Sequence, residues 1–289
     1  MCIFKDKEKV VDPIIHEDEE NFTISNGVHI LNNCKNVTAC GNAVVLEAIN
    51  TTFKDVSGKV VIQMFENSSI ETLCGKAKIG LFKDGRIEKV CGKAKITTIN
   101  MCQIDYVCQK AKVGTMNDGF IRFIDGKAEL ATMTNGRVMF ARGKARVVSL
   151  ISGEITGFLG QAELVSLLNG HLTYCLDSSK IGTINNGKID LIADNAEIST
   201  LNKGIVEEML GTSMISANMD GKVMVQGKRS LILYSPTLSE KRRAEYKKQK
   251  EEIKVDESVL KEENLNQVSL FDNENVKNSK KKKTKKVQA

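Results

Sequence analysis

The sequence predicts an all-β fold, a single-stranded parallel β-helix (β-solenoid) of 17-residue coils, on three observations. The first is a repeat of fixed length. Cys74-Gly75-Lys76-Ala77-Lys78-Ile79 returns as Cys91-Gly92-Lys93-Ala94-Lys95-Ile96 and again from Cys108, Asp125, Arg142 and Leu159. Weaker copies start at Cys40, Ser57, Leu176, Ala193, Leu210 and Gly227, with no insertion or deletion between them. Equal unit length is what stacked coils require, because each coil touches only its neighbours. The second is a set of apolar residues at fixed places in the repeat with polar residues alternating between them, the pattern of strands. The third is a recurring turn pair: Asp84-Gly85, Asp118-Gly119, Asn135-Gly136, Asn169-Gly170, Asn186-Gly187 and Asp220-Gly221. Gly accepts positive φ there, and Asn or Asp tolerates it. A helix would need apolar spacing near 3.6 and would not carry a glycine in every repeat.

Residues 1–22 read as an N-terminal cap. Residues 6–22 keep the register but are charged and carry Pro13, as a segment shielding an open strand edge would be. Residues 23–234 form the solenoid. Numbered from its Cys or Gly start, each repeat is small at position 4 (Ala77, Ala94, Ala111) and aliphatic at position 6 (Ile79, Ile96, Val113). Position 14 is also aliphatic (Ile87, Ile104, Ile121, Val223), and position 9 is mostly apolar (Phe65, Phe82, Leu201). These columns predict two or three short strands per coil, stacked in register about 4.8 Å apart. Seventeen is not a multiple of six, which argues against a left-handed hexapeptide helix. Right-handed winding is expected, as for parallel crossovers generally. Residues 235–254 predict a capping helix. Ser235-Pro236 starts it, Thr237 with Glu240 makes a capping box, and a charged stretch follows. Residues 255–289 are Lys, Glu, Asn and Ser with few apolar side chains, a composition that predicts a disordered tail.

Charge is unevenly placed. The net formal charge is +6, and residues 236–289, with 15 basic and 10 acidic side chains, hold +5 of it. A near-neutral body with a basic tail points to an anionic partner. The opening Met-Cys-Ile-Phe-Lys-Asp-Lys-Glu-Lys has charges where a leader would be apolar. No stretch is apolar over the length of a membrane span. The expected location is cytoplasmic, with the eight cysteines reduced, and no membrane partner is expected.

Lys59, Lys76, Lys93, Lys110, Lys127 and Lys144 occupy position 3 of six consecutive repeats, and Lys78, Lys95, Lys112 and Arg146 add a column at position 5 broken by Glu129. With positions 4 and 6 inward, both columns face outward on one sheet. Stacked like charges repel. A polyanion such as DNA or RNA along the stripe would relieve the repulsion. The alternative is that the lysines only block edge association and keep the sheet soluble. Cys40, Cys74, Cys91 and Cys108 share position 1. A straight ladder is not tetrahedral and no CxxC or histidine accompanies it, so small buried corner residues are expected, with no metal and no cofactor. Tyr106, Phe123, Phe140 and Tyr174 fall at position 16, either in a widened core or on an exposed stripe for a partner. The hydroxyl column at position 8 (Thr98, Thr115, Thr132, Ser149, Ser166, Thr183, Thr200) either orders water, as in ice-binding solenoids, or bonds to itself along the ladder. Glu71, Glu88 and Asp105 stack at position 15 near Arg86 and Arg122, the single carboxylate set with the makings of a sugar-cleaving site. His16, His29 and His171 are scattered beside no nucleophile, and the long loops that build solenoid active sites are absent. The expectation is a non-enzymatic protein with no catalytic residues.

Within the tail, Gln267-Val268-Ser269-Leu270-Phe271 precedes Asp272 as an isolated apolar cluster. It resembles the bacterial sliding-clamp-binding motif, typically Gln-Leu-Ser/Asp-Leu-Phe, with Val268 in place of the usual Leu. The resemblance implies an extended peptide in the clamp groove, with Gln267 making polar contacts and Leu270 and Phe271 filling the apolar pocket. The chain then runs through Lys280, Lys281, Lys282 and Lys283 to Lys285 and Lys286. Such a run suits nonspecific phosphate contact, a nuclear localisation signal or a solubilising end. The first expectation is therefore a bacterial or phage scaffold tethered by its tail to the clamp, with the lysine stripe near nucleic acid. A second is a structural element. Coil length and character are similar to bactofilins, the β-helical cytoskeletal polymers, and to phage fibre or spike shafts. Capped ends favour a discrete particle over a filament. A third, a carbohydrate-active solenoid, would depend on Asp105.

Overall fold

A computed structural model describes residues 12–235. Among them are 25 strands and no helix, and every strand pairing is parallel. Each regular coil gives two strands, at repeat positions 5–10 and 13–17, as in Lys78–Lys83 and Arg86–Val90. Each strand pairs with its equivalents one coil before and one after. Ile79 sits between Ile62 and Ile96, and Ile87 between Ile70 and Ile104. Two ladders result, joined only at Lys180–Ile192 and Glu197–Met209, where one strand runs through both.

The N-terminal segment departs from the strict repeat. Ile14–Glu17 is already a strand, pairing Ile14 with His29, and Val28 with Val44, before the spacing settles at Ile30 with Glu47. Residues 14–17, within the segment expected as a cap, thus pair in the ladder itself, and the short spacing goes with tight corners such as Asp18 and Asn21 (φ +57° each). Apart from Ser235, the expected capping helix of residues 235–254 and the tail of 255–289 lie outside the described residues.

Core columns follow the repeat. Positions 4, 6, 9, 14 and 17 are buried in coil after coil: Ala77, Ile79, Phe82, Ile87 and Val90, then Ala94, Ile96, Ile99, Ile104 and Val107. Removing one such Ile from water contributes about 1.5–3 kcal/mol. Large rings fill the early coils, with Phe53 and Phe65 centroids 5.9 Å apart and Phe65 and Phe82 5.2 Å apart. Strict alternation does not hold within the strands. The inward residues are three apart, 6 and 9, then 14 and 17, so positions 7 and 8 both face out, as do 15 and 16. In the final described coil the column opens, with Val223 half-buried and Met224 and Val225 exposed.

Left-handed corners close the loop, at position 2 from Gly41 to Gly211 and at position 11 or 12 in most of the same coils. At position 2, Gly58, Gly75 and Gly92 have φ of +73°, +68° and +66°. Here the position-4 N–H donates back to position 1, as from Ala77 to the Cys74 carbonyl at 3.3 Å, while Lys76 N–H continues the ladder to the Gly58 carbonyl at 2.7 Å. The other corner is position 11, with Asn50, Asn67, Asp84 and Asp118 at +50°, +46°, +49° and +52°. In Asp84-Gly85 the Asp, not the Gly, takes the positive φ. Gly85 is needed for space, since a Cβ there would overlap the Ser68 carbonyl oxygen and lie 2.8 Å from the Phe82 ring. Elsewhere the second corner holds buried Thr51, Ser68 and Cys102. Their side chains donate to backbone carbonyls (Ser68 Oγ to Glu66 at 2.6 Å, Cys102 Sγ to Asn100 at 2.9 Å), so no polar atom there is buried unpaired.

Candidate anion-binding corner

Lys59, Lys76, Lys93, Lys110, Lys127 and Lys144 are all exposed. They occupy the turn between the two ladders rather than a sheet face, because the left-handed residue at position 2 carries the next residue outward. None of the six makes an ion pair among the described residues. Position 5 opens the following strand, where Lys95 stacks between Lys78 and Lys112. That column is partly neutralised: Lys112 pairs with Glu129 and Arg146 with Glu163, each at 3.3 Å. Unpaired positive charge therefore runs along the corner, with exposed Lys78 and Lys95 beside it.

Position 16, the last outward residue before the same corner, carries the aromatic stripe. The structure resolves its orientation: the rings face outward. Tyr106 and Tyr174 are each 43% exposed. Tyr106 stacks on Phe123 at 5.0 Å between centroids and Phe123 on Phe140 at 5.9 Å, with planes 17° and 16° apart. Gly157 admits the Phe140 ring, which would lie 2.8 Å from a Cβ there. The Arg142 guanidinium sits 4.5 Å from the Phe123 centroid and also bonds Asp125 at 2.9 Å.

The position-1 cysteines, expected to be buried, are half-exposed. They sit on the outer side of the turn, whereas the buried thiols are Cys34 and Cys102 at the second corner and Cys175 at position 17. Burial pushes the Cys102 thiol up to about 11 and Cys175 to about 12. Partial burial also raises Cys74, Cys91 and Cys108, Cys74 with help from the Asp55 carboxylate 4.0 Å away. No cluster of three metal-ligating side chains occurs among the described residues.

The position-8 hydroxyls face outward and stack, Thr98 on Thr115 on Thr132, yet no hydrogen bond joins these three hydroxyls among the described residues. Of the position-15 acids, Glu71 and Glu88 are exposed, and Asp105 is only 5% exposed. Asp105 accepts from Arg86 at 2.5 Å and from Gln103 at 2.9 Å. Burial opposes its charge, but these two donors outweigh it and hold the carboxyl below its ordinary value.

Two histidine arrangements escaped the sequence reading. His16 lies 3.0 Å from Glu19 and 3.1 Å from His29, and stacks on Phe22 at 4.8 Å. The shortened coils there hide that register. His171 lies 2.8 Å from Asp190, which also bonds Lys188 at 3.1 Å. Positions 13 and 15 of adjacent coils adjoin, so counting by seventeen from His171 to Lys188 would have found this set. Gln267, Val268, Ser269, Leu270 and Phe271, and Lys281, Lys282 and Lys283, lie outside the described residues. No helix of the described residues is long and apolar enough to cross a membrane. Comparison with protein-family models, curated proteins and solved structures returns no match.

Proposed function

We propose that this chain is a non-enzymatic, cytoplasmic binding scaffold whose lysine corner contacts single-stranded nucleic acid, and whose tail docks on a DNA sliding clamp through Gln267–Phe271. The observation that carries the reading is the column of exposed lysines at one corner with no carboxylate partner among the described residues. Repulsion along such a column is relieved by a polyanion. The adjacent outward rings favour nucleic acid over other polyanions, since lysines that track phosphates beside aromatics that meet bases are the parts of a single-strand site. The tail would raise the local concentration of the scaffold at DNA, so that weak corner contacts suffice.

The test is fluorescence anisotropy with a single-stranded oligonucleotide, wild type against Lys76→Glu, Lys93→Glu and Lys110→Glu combined. Salt-sensitive binding lost in the triple variant supports the reading, and equal binding removes it. The tether is tested by recovery on purified sliding clamp, wild type against Leu270→Ala with Phe271→Ala. Equal recovery removes the clamp. A second reading, a structural polymer akin to bactofilins, is favoured by the exposed Met224 and Val225 of the final described coil. Filaments of the full-length protein in electron micrographs would put it first.

A further inference from the structure

The lysine corner also presents a column of backbone N–H groups, one per coil, at position 2. In four coils the chain answers that donor with its own oxygen. Gly92 N–H donates to Gln109 Oε1 at 2.8 Å, Gly160 N–H to Asp177 Oδ2 at 2.7 Å, and Asp177 N–H to Asp194 Oδ2 at 3.1 Å. Gly126 N–H donates to Asp125 Oδ1 at 2.6 Å. In the first three cases the acceptor is the position-2 side chain of the next coil, which replaces glycine there despite a positive φ (+61°, +60° and +58°). The strain of a left-handed non-glycine residue is offset by an oxygen on that N–H.

Gly41, Gly58 and Gly75 are three successive coils in which no side chain among the described residues does this. Glycine follows each of them. A Cβ at Gly58, Gly75 or Gly92 would lie 2.8, 2.9 or 3.0 Å from the preceding N, so its absence leaves the approach to each N–H open. Lys59, Lys76 and Lys93, exposed, are the next residues after Gly58, Gly75 and Gly92. Asp55, at position 16 of the coil that starts at Cys40, lies 4.0 Å from Cys74 Sγ at the edge of this corner.

We propose that the corner from Gly41 to Lys93 is an oxyanion-binding groove in which the Gly58 and Gly75 N–H groups hold phosphate oxygens and Lys59, Lys76 and Lys93 neutralise them. Backbone N–H groups in turns of this kind form anion-binding concavities, and charge-assisted bonds to them are the strong class. The proposal rests on the corner being an anion-binding surface and adds which coils bind and through which atoms.

The experiment follows the Gly58 and Gly75 amides by ¹⁵N NMR in the full-length protein, with inorganic phosphate as probe. Both should shift, while the occupied amides of Gly92 and Gly160 stay put. Gly92→Gln copies Gln109 and closes Gly75 alone, so Gly75 should stop responding and Gly58 continue. Oligonucleotide affinity should fall about tenfold in the Gly75→Gln, Gly92→Gln double variant, with an unchanged salt slope because no charge is altered. Cys74→Asn closes Gly75 from position 1, as Asp125 closes Gly126, without touching a glycine. Silent Gly58 and Gly75 amides, or wild-type oligonucleotide binding in folded closed variants, would overturn the groove and leave the lysine reading standing. Amides that respond to phosphate in a protein that binds no oligonucleotide would support the groove and remove the nucleic-acid reading.

Discussion

Arg86 reaches from one coil to the next and holds Asp105, its Nη2 2.5 Å from Oδ2. Burial alone would push that carboxyl up. The guanidinium and Gln103 reverse the direction, and the carboxyl titrates below its ordinary value. A depressed carboxyl stabilises the fold above the unfolded value near 3.9, and the contribution is lost as pH falls through the lowered one. Asp190, held low against burial by His171 and Lys188, acts in the same sense. Stability should therefore decline only below about pH 4 on account of these two groups. Arg86→Ala leaves Asp105 buried on one remaining donor. It should lower stability at neutral pH and move the acid transition upward, as followed by circular dichroism. An acid transition that does not move would show that the pair carries no linkage.

At the first corner, Gly92 combines a φ of +66° with a neighbouring backbone nitrogen 3.0 Å from where a Cβ would sit. Gly92→Val should lose about 1–2 kcal/mol or more, the cost of a left-handed residue with a branched side chain. Gly92→Asn should lose clearly less, since its side-chain oxygen can meet the Gly75 N–H as Asp177 meets Gly160. Urea midpoints at constant m-value give the comparison. Equal losses would mean that the oxygen on the N–H contributes nothing.

The repeat made the coil length, the inward columns at positions 4, 6, 9 and 14 and both corners legible, because each recurs in register. Side-chain orientation in the second half of each strand was less so. Alternation carried past Ile104 puts Tyr106 inside, but the strand bends so that Ile104 and Val107 point in and Asp105 and Tyr106 lie between them. A one-dimensional period of two cannot show a bend. Cys74, Cys91 and Cys108 were legible as corner residues and not as half-exposed ones, since burial depends on which side of the turn a side chain leaves. The free charge of the lysine column was legible in residue type, while the open N–H groups of Gly58 and Gly75 were not. They depend on what the neighbouring coil lacks.

Phe82 is fully buried, with the tilted Phe65 ring 5.2 Å away one coil before it. Phe82→Ala should cost about 3–5 kcal/mol, the range for emptying a large aromatic site. In a stack of nearest-neighbour contacts the damage should be local. Hydrogen exchange should accelerate in the coils around Phe65 and Ile99 and leave Ile189 to Val206 as protected as before. Uniform loss along the chain would show that the coils unfold as one unit.

Phe123 and Lys110 separate the two halves of the proposed nucleic-acid contact. Phe123 lies between Tyr106 and Phe140 under the Arg142 guanidinium. If a base meets this stripe, Phe123→Ala should weaken binding of a single-stranded oligonucleotide by about 1–3 kcal/mol. The salt slope should not change, because no charge is removed. Lys110→Gln should do the opposite, flattening the slope by about 0.7 for the lost phosphate contact on a single strand. A slope change in Phe123→Ala would mean that the ring acts only by placing Arg142. A ring without effect beside lysines that keep theirs would leave a corner that recognises charge and not bases.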